Sequence, residues 1–466
     1  MAPIPPSRTD LTRRNFLRCA ALSAGAASAL TCLPRFARRA FGAVTAQTPF
    51  PTIFIQLRGG WDPAYHFCAR TGLVNRAVTA DGIRETAAGV RWFQPTMAAM
   101  TPHMEDATII RNVRMSPNID HHTGPVELWF GDSGDPTGRP PWANFLASGL
   151  LARAPVPAPS VAQYWVRQYS SSDRDTNYVT YHNTSPDPLG ATQRILDIGA
   201  FAGSLDLSRG LPPAPEQQAV YDLIGKMDGR LYNPAVQPAT VSQFDQANRQ
   251  ANELLVQSVS SLWPPDDETR ATFNLGDEDL TSTGLQGTPH LKPMLALAFQ
   301  LARYQASHVI SMTNPFENEY DSHGGQAIDN VKQKDVGTRM FDRIAPLLTA
   351  LKATPSPLDP TLSMFDTTHV VIASEMGRSW NAENGSGTFH WDSTHVACFG
   401  GRFKRGYGFG DLDDKLNAIP ADFATGALNQ GSTPSWMNVV ATILKANGLD
   451  PSGYSNAKAI DAVLKP

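Results

Sequence analysis

Five short stretches of the chain are mostly apolar and do not alternate with polar residues, and each runs on towards a polar loop that contains glycine. Thr52-Ile53-Phe54-Ile55-Gln56-Leu57 enters Arg58-Gly59-Gly60-Trp61-Asp62, and Ala107-Thr108-Ile109-Ile110 leads towards Asp120-His121-His122-Thr123-Gly124. His308-Val309-Ile310-Ser311-Met312 leads to Tyr320-Asp321-Ser322-His323-Gly324-Gly325. His369-Val370-Val371-Ile372-Ala373 passes straight into Ser374-Glu375-Met376-Gly377-Arg378, and His395-Val396-Ala397-Cys398-Phe399 stops at Gly400-Gly401. A strand with one wet face alternates apolar and polar residues. Near-continuous apolar runs instead mark strands covered on both faces, as in a parallel sheet.

Between these runs the period changes to that of a helix. Leu291 to Ala306 predicts one helix. Gln326 to Leu351 predicts a longer one, with Met340, Phe341, Ile344, Leu347, Leu348 and Leu351 on its apolar side. It would join the His308 strand to the His369 strand as a right-handed βαβ crossover. Pro434 to Ala446 predicts a C-terminal helix whose buried stripe is Trp436, Val439, Val440, Ile443 and Leu444. Alternating strands and helices place the chain in the α/β class. Residues 165–285 break the rhythm with Ser/Asp/Asn-rich loops and two helical stretches, Glu216–Arg230 and Val241–Leu262, and read as an insertion or cap on one core domain.

The first 46 residues are set apart by charge. They hold seven arginines and one aspartate, a balance of +6 in a chain whose formal net charge is −4, which leaves −10 on the remainder. Thr12-Arg13-Arg14-Asn15-Phe16-Leu17 precedes a mildly apolar stretch from Cys19 to Pro34, and Val44-Thr45-Ala46 ends in a small-residue cleavage pattern. That order is the order of a twin-arginine export signal over residues 1–46, followed by a mature domain over 47–466. Its partner would be the twin-arginine translocase, and its destination the periplasm or the exterior. The acidic mature chain argues against nucleic-acid binding, which needs clustered cations. No apolar run reaches the length of a transmembrane helix. Of four cysteines, Cys68 and Cys398 lie in the mature chain, where they could form a disulfide or stand as separate buried thiols.

In an open parallel sheet, ligands bind beyond the carboxyl ends of the strands. The loops there would bring together Asp62, His121 with His122, Asp321 with His323, Glu375, and His390 from a further glycine-rich loop. Carboxylates and imidazoles converging from separate strands are a donor set for a divalent metal. Each also has a plainer reading: Asp62 as a turn residue, Asp321 as a helix cap, and Glu375 as an ion-pair partner of Arg378.

The segments Leu57–Asp62, Tyr320–His323, Ser374–Arg378, the loop to His390 and Phe399-Gly400-Gly401 together resemble a large uncharacterised family of twin-arginine-exported bacterial proteins. That family is grouped with the alkaline phosphatase and sulfatase superfamily. The resemblance implies a three-layer sandwich around a mostly parallel sheet, with one or two divalent ions (zinc, manganese or calcium). It implies metal ligands at Asp62, Asp321, His323, Glu375 and His390, with Thr123 as the candidate nucleophile, supported by His122 and Arg58. Either Arg58 or Arg378 could clamp an oxyanion or pair with a carboxylate. The implied activity is hydrolysis of a small anionic phosphate or sulfate ester. The alternative is a non-catalytic envelope protein that keeps the fold and binds a partner. Two departures stand out: Phe389, not Asp, precedes His390, and Met376 follows Glu375 where the superfamily places an imidazole.

Overall fold

The computed structural model describes residues 45, 48–74, 76–117, 119–121, 123–131, 140–151, 153–154, 156, 160–162, 193–194, 262–281, 291–314, 320–323, 329–383 and 387–466. Nearly all of the predicted export signal, most of the 165–285 insertion with its helix 216–230, all but the last residue of its helix 241–262, and His122 lie outside these residues.

The strands of the main sheet, with one hairpin beside it, are β1 (Thr52–Gln56), β2 (Ala107–Arg114), β3 (Ser160–Ala162), β4 (Gln193–Arg194), β5 (Val309–Thr313), β6 (His369–Ala373), β7 (Gly377–Glu383), β8 (Gly387–Trp391), β9 (Ser393–Gly400) and β10 (Tyr407–Phe409). Eight of them form the sheet in the order β10-β2-β9-β6-β1-β5-β3-β4, while β7 and β8 pair only with each other. Pairing is parallel at every step except around β9, which runs against both β2 and β6. The apolar run at 395–399 identified a covered strand but carried no information about its direction.

Helices α1 (Thr123–Phe130), α2 (Trp142–Leu151), α3 (Leu291–Arg303), α4 (Asp329–Ala353) and α5 (Trp436–Ala446) cover the sheet. Successive residues of a strand point to opposite faces, so β1 feeds two cores at once. Ile53 and Ile55 pack with Leu297, Phe341 and Ile344 from α3 and α4. Phe54 points the other way, edge-on to Trp129 and Trp142 at centroid distances of 5.2 and 5.3 Å. The indoles of Trp142 and Trp436 both donate to the Leu128 carbonyl, each at 2.8 Å, so the polar edge of each ring is satisfied inside the layer. The result is a three-layer α/β/α sandwich with a mostly parallel sheet. Helix α4 is the connection from β5 to β6, but these strands flank β1 rather than each other.

Cys68 and Cys398 are free thiols in different hydrophobic clusters. Burial pushes the Cys68 thiol up to about 12, and Cys398 is raised for the same reason. Among the described residues no helix is long and apolar enough to cross a membrane.

Candidate metal centre

The carboxyl ends of β1, β2, β5 and β6 meet on one rim, and because β9 runs the other way its beginning meets them there. The β7–β8 hairpin therefore delivers His390 to the same place just before β9 starts. The cluster that forms consists of His121, Asp321, His323 and His390, whose ligand atoms all lie within 4.8 Å of one another. His390 Nε2 is 2.8 Å from His323 Nε2 and 3.1 Å from His121 Nε2. Asp321 Oδ1 is 3.2 Å from His121 Nε2 and 3.3 Å from His323 Nε2. Four ligands placed tetrahedrally about 2.0 Å from a zinc-sized ion would be about 3.3 Å apart. These residues fit such an ion.

The protein orients two of the imidazoles through their outer nitrogens. His390 Nδ1 sits 3.1 Å from the Ile119 carbonyl, and His121 Nδ1 is 3.4 Å from Glu375 Oε1. Contacts of this kind fix the tautomer so that Nε2 presents its lone pair inward. Burial, with Arg378 and two neighbouring imidazoles close by, depresses His390 to about 4, which keeps it neutral. For His121 burial acts in the same direction, but hydrogen bonds to Asp321 and Glu375 outweigh it and raise the imidazole to about 9. Burial pushes the Asp321 carboxyl up; the His121 hydrogen bond and the Arg378 charge overcome this and hold it well below the usual range.

Arg378 is the hub beneath the cluster, with no side-chain exposure. It donates to the Gly60 and Thr388 carbonyls at 3.0 and 3.2 Å, to the Gly59 carbonyl, and to Asp321 Oδ1 at 2.9 Å. Gly59 has φ +102°, and a Cβ there would stand 2.3 Å from the Asp321 backbone nitrogen. The loop after β1 and the loop before His323 can close on each other because of that glycine.

Three of the five ligands expected from the sequence are thus brought together, and two are not. Asp62 is spent elsewhere: Oδ1 accepts from the Ala64 N–H at 2.9 Å, and Oδ2 pairs with Arg76 Nε at 2.6 Å, both side chains being almost fully buried. Glu375 stands one layer back, where Oε1 accepts the Gly59 N–H at 2.7 Å and meets the outer nitrogen of His121 rather than the centre of the cluster. Burial raises its carboxyl, but the His121 contact and the charge of Arg58 bring it below the ordinary value. Arg58 is itself buried, its N–H donating to Asn314 Oδ1 at 2.7 Å. The Thr123 hydroxyl donates to Asp120 Oδ1 at 3.0 Å at the start of α1. His122 is outside the described residues. His121 is the ligand whose role the sequence left unassigned. It was placed on the rim, but nothing in a His-His pair says which imidazole turns inward.

His395 and His369 are fully buried and take no part in the cluster. His395 stacks on Trp61 at 4.1 Å, and His369 accepts the Arg402 N–H at 3.2 Å.

A family model described as "Protein of unknown function (DUF1501)" matches residues 53–458, which takes in every residue of the cluster. The chain belongs to the DUF1501 family. Among solved structures, this DUF1501 chain is similar to phosphonate monoester hydrolase SpPMH from Silicibacter pomeroyi. The identity is 11% and the TM-score 0.37, over 89% of this chain and 76% of that one. None of the curated proteins matches it.

Proposed function

We propose that this DUF1501 protein is an exported metal-dependent hydrolase that holds one divalent ion and acts on small anionic phosphate or sulfate esters. The observation that carries this reading is the meeting of three imidazole Nε2 atoms and one carboxylate oxygen at hydrogen-bond distances on the ligand-binding rim of the sheet. Bound there, a divalent ion would act as a Lewis acid on an ester oxygen and make a water nucleophilic near neutral pH. Nitrogen donors favour zinc, manganese or a similar transition metal over calcium, which takes six to eight oxygens. Among the described residues one such cluster occurs, which favours a one-ion centre over a pair. The Thr123 hydroxyl is engaged by Asp120, so water is the better-placed nucleophile. Glu375 and the Ile119 carbonyl keep His121 and His390 aimed inward. The N-terminal arginine pair, apolar stretch and cleavage pattern support export by the twin-arginine translocase to the periplasm or beyond.

A second reading is favoured by the number of protein donors. Four of them close a tetrahedron in the manner of structural sites, whereas catalytic sites keep a position open. On that reading the ion stabilises an envelope protein that binds a partner and turns nothing over. Elemental analysis after native export, with assays on aryl phosphate and sulfate esters, separates the two. One ion per chain with turnover that His390→Gln abolishes supports the hydrolase; one ion without turnover supports the structural role. A folded, metal-free and inert protein ends both.

A further inference from the structure

With an ion in the centre, as proposed above, the four donors are not equivalent. His121 and His390 are anchored through Nδ1, so Nε2 belongs to the ion alone. Asp321 meets its anchor with the same oxygen that it would give the ion, because Oδ1 is 2.9 Å from Arg378 Nη2 and 3.2 and 3.3 Å from the two imidazoles. A charge-assisted bond from a guanidinium draws electron density from that oxygen and weakens it as a ligand. Arg378 cannot retreat to relieve the competition, since the Gly59, Gly60 and Thr388 carbonyls hold the rest of its fork and it has no exposed surface. Asp321 is 28% exposed and has solvent to move into.

We propose that Arg378 is a positioning residue that makes Asp321 the exchangeable member of the donor set, a place-holder whose oxygen an incoming oxyanion replaces between the guanidinium and the imidazoles. His121 and His390, anchored through their outer nitrogens, are then the permanent hold. This accounts for a centre that looks closed and still admits a substrate, and it sets the substrate class by shape and charge. The entering group must present an anionic oxygen to a guanidinium on one side and to the ion on the other, as a tetrahedral monoester does.

Cobalt(II), whose visible spectrum reports its coordination, tests this on the full mature protein with inorganic phosphate as the oxyanion probe. Wild type, Asp321→Asn, Arg378→Lys and His390→Gln are compared for cobalt affinity and for the spectrum with and without phosphate. Asp321→Asn should lose no more than the roughly 10–100-fold typical of an outer-shell partner, and His390→Gln should lose more than that. Phosphate should change the wild-type spectrum and bind Asp321→Asn more tightly, there being no carboxylate to displace. Arg378→Lys should keep cobalt and bind phosphate more weakly. Equal losses of cobalt in Asp321→Asn and His390→Gln, or a wild-type spectrum indifferent to phosphate, overturn the exchangeable role and leave the metal centre standing. A wild type that takes up no cobalt overturns the metal reading and this one with it. If Arg378→Lys does not fold, the Asp321→Asn comparison decides.

Discussion

His323 Nε2 lies 2.8 Å from His390 Nε2, although 67 residues separate them in the chain. Two imidazoles at that distance share one proton or one cation; both cannot carry hydrogen on the facing nitrogens. With His121 Nε2 a further 3.1 Å from His390, a single proton cannot bridge all three, whereas a metal ion can.

The first prediction concerns the proton that the ion replaces. His121 titrates at about 9, so at neutral pH the metal-free centre holds a proton there. Metal binding must expel it. Affinity should therefore climb by up to about tenfold per pH unit as pH rises from 6 and flatten above 9. Zinc or cobalt titrations across that range check the slope; a flat profile means that no proton is displaced.

Asp62 should behave as a structural residue. Removing its carboxylate leaves the Arg76 charge buried without its partner. Asp62→Ala should cost about 3–5 kcal/mol, as breaking a buried pair does, while metal content at saturation stays the same. Denaturant melts together with elemental analysis read both quantities. Metal lost in proportion to Asp62 removal would restore it to the ligand set.

Gly59→Ala places a methyl group 2.3 Å from the Asp321 backbone nitrogen at a φ of +102°. The loop carrying Asp321 has to move, and the Glu375 contact to the Gly59 N–H is strained with it. Metal affinity should fall with little change in helix content, which calorimetry and circular dichroism distinguish.

Acid should destabilise the fold through histidines remote from the metal centre. Burial depresses His66 and His308 to about 4 from an ordinary 6.5, and it holds His369 and His395 well below that value. Between those values the unfolded chain binds more protons than the folded one, so stability is full above pH 6.5 and drains away as pH falls towards 4. For one such group the loss at pH 5 is about 2 kcal/mol. Thermal midpoints from pH 8 to pH 5 should drop steeply, and His308→Gln should flatten that slope whatever its effect at pH 8.

The sheet was legible in the sequence because burial on both faces leaves an unmistakable record. The run His369–Ala373 coincides with β6 residue for residue, and α4 covers its expected stripe. Direction left no such record, so β9 read as another covered strand. Asp321, His323 and His390 could be placed on a common rim because strand ends gather there. Their neighbours could not be sorted in the same way. Asp62 is diverted by Arg76, only 14 residues further on, and a local ion pair of that kind is invisible to a rule about strand ends. Glu375 reaches the right loop but meets a backbone N–H first. A sequence shows which groups arrive at a site; it does not show what each meets one layer in.

Arg378 and His390 face each other across the β7–β8 hairpin as paired residues. A ligand and the guanidinium that governs its carboxylate neighbour therefore ride on a single two-stranded arm. Arg378 is also tied to the loop after β1 through the Gly59 and Gly60 carbonyls, so the arm that carries His390 is riveted to the very strand end it serves.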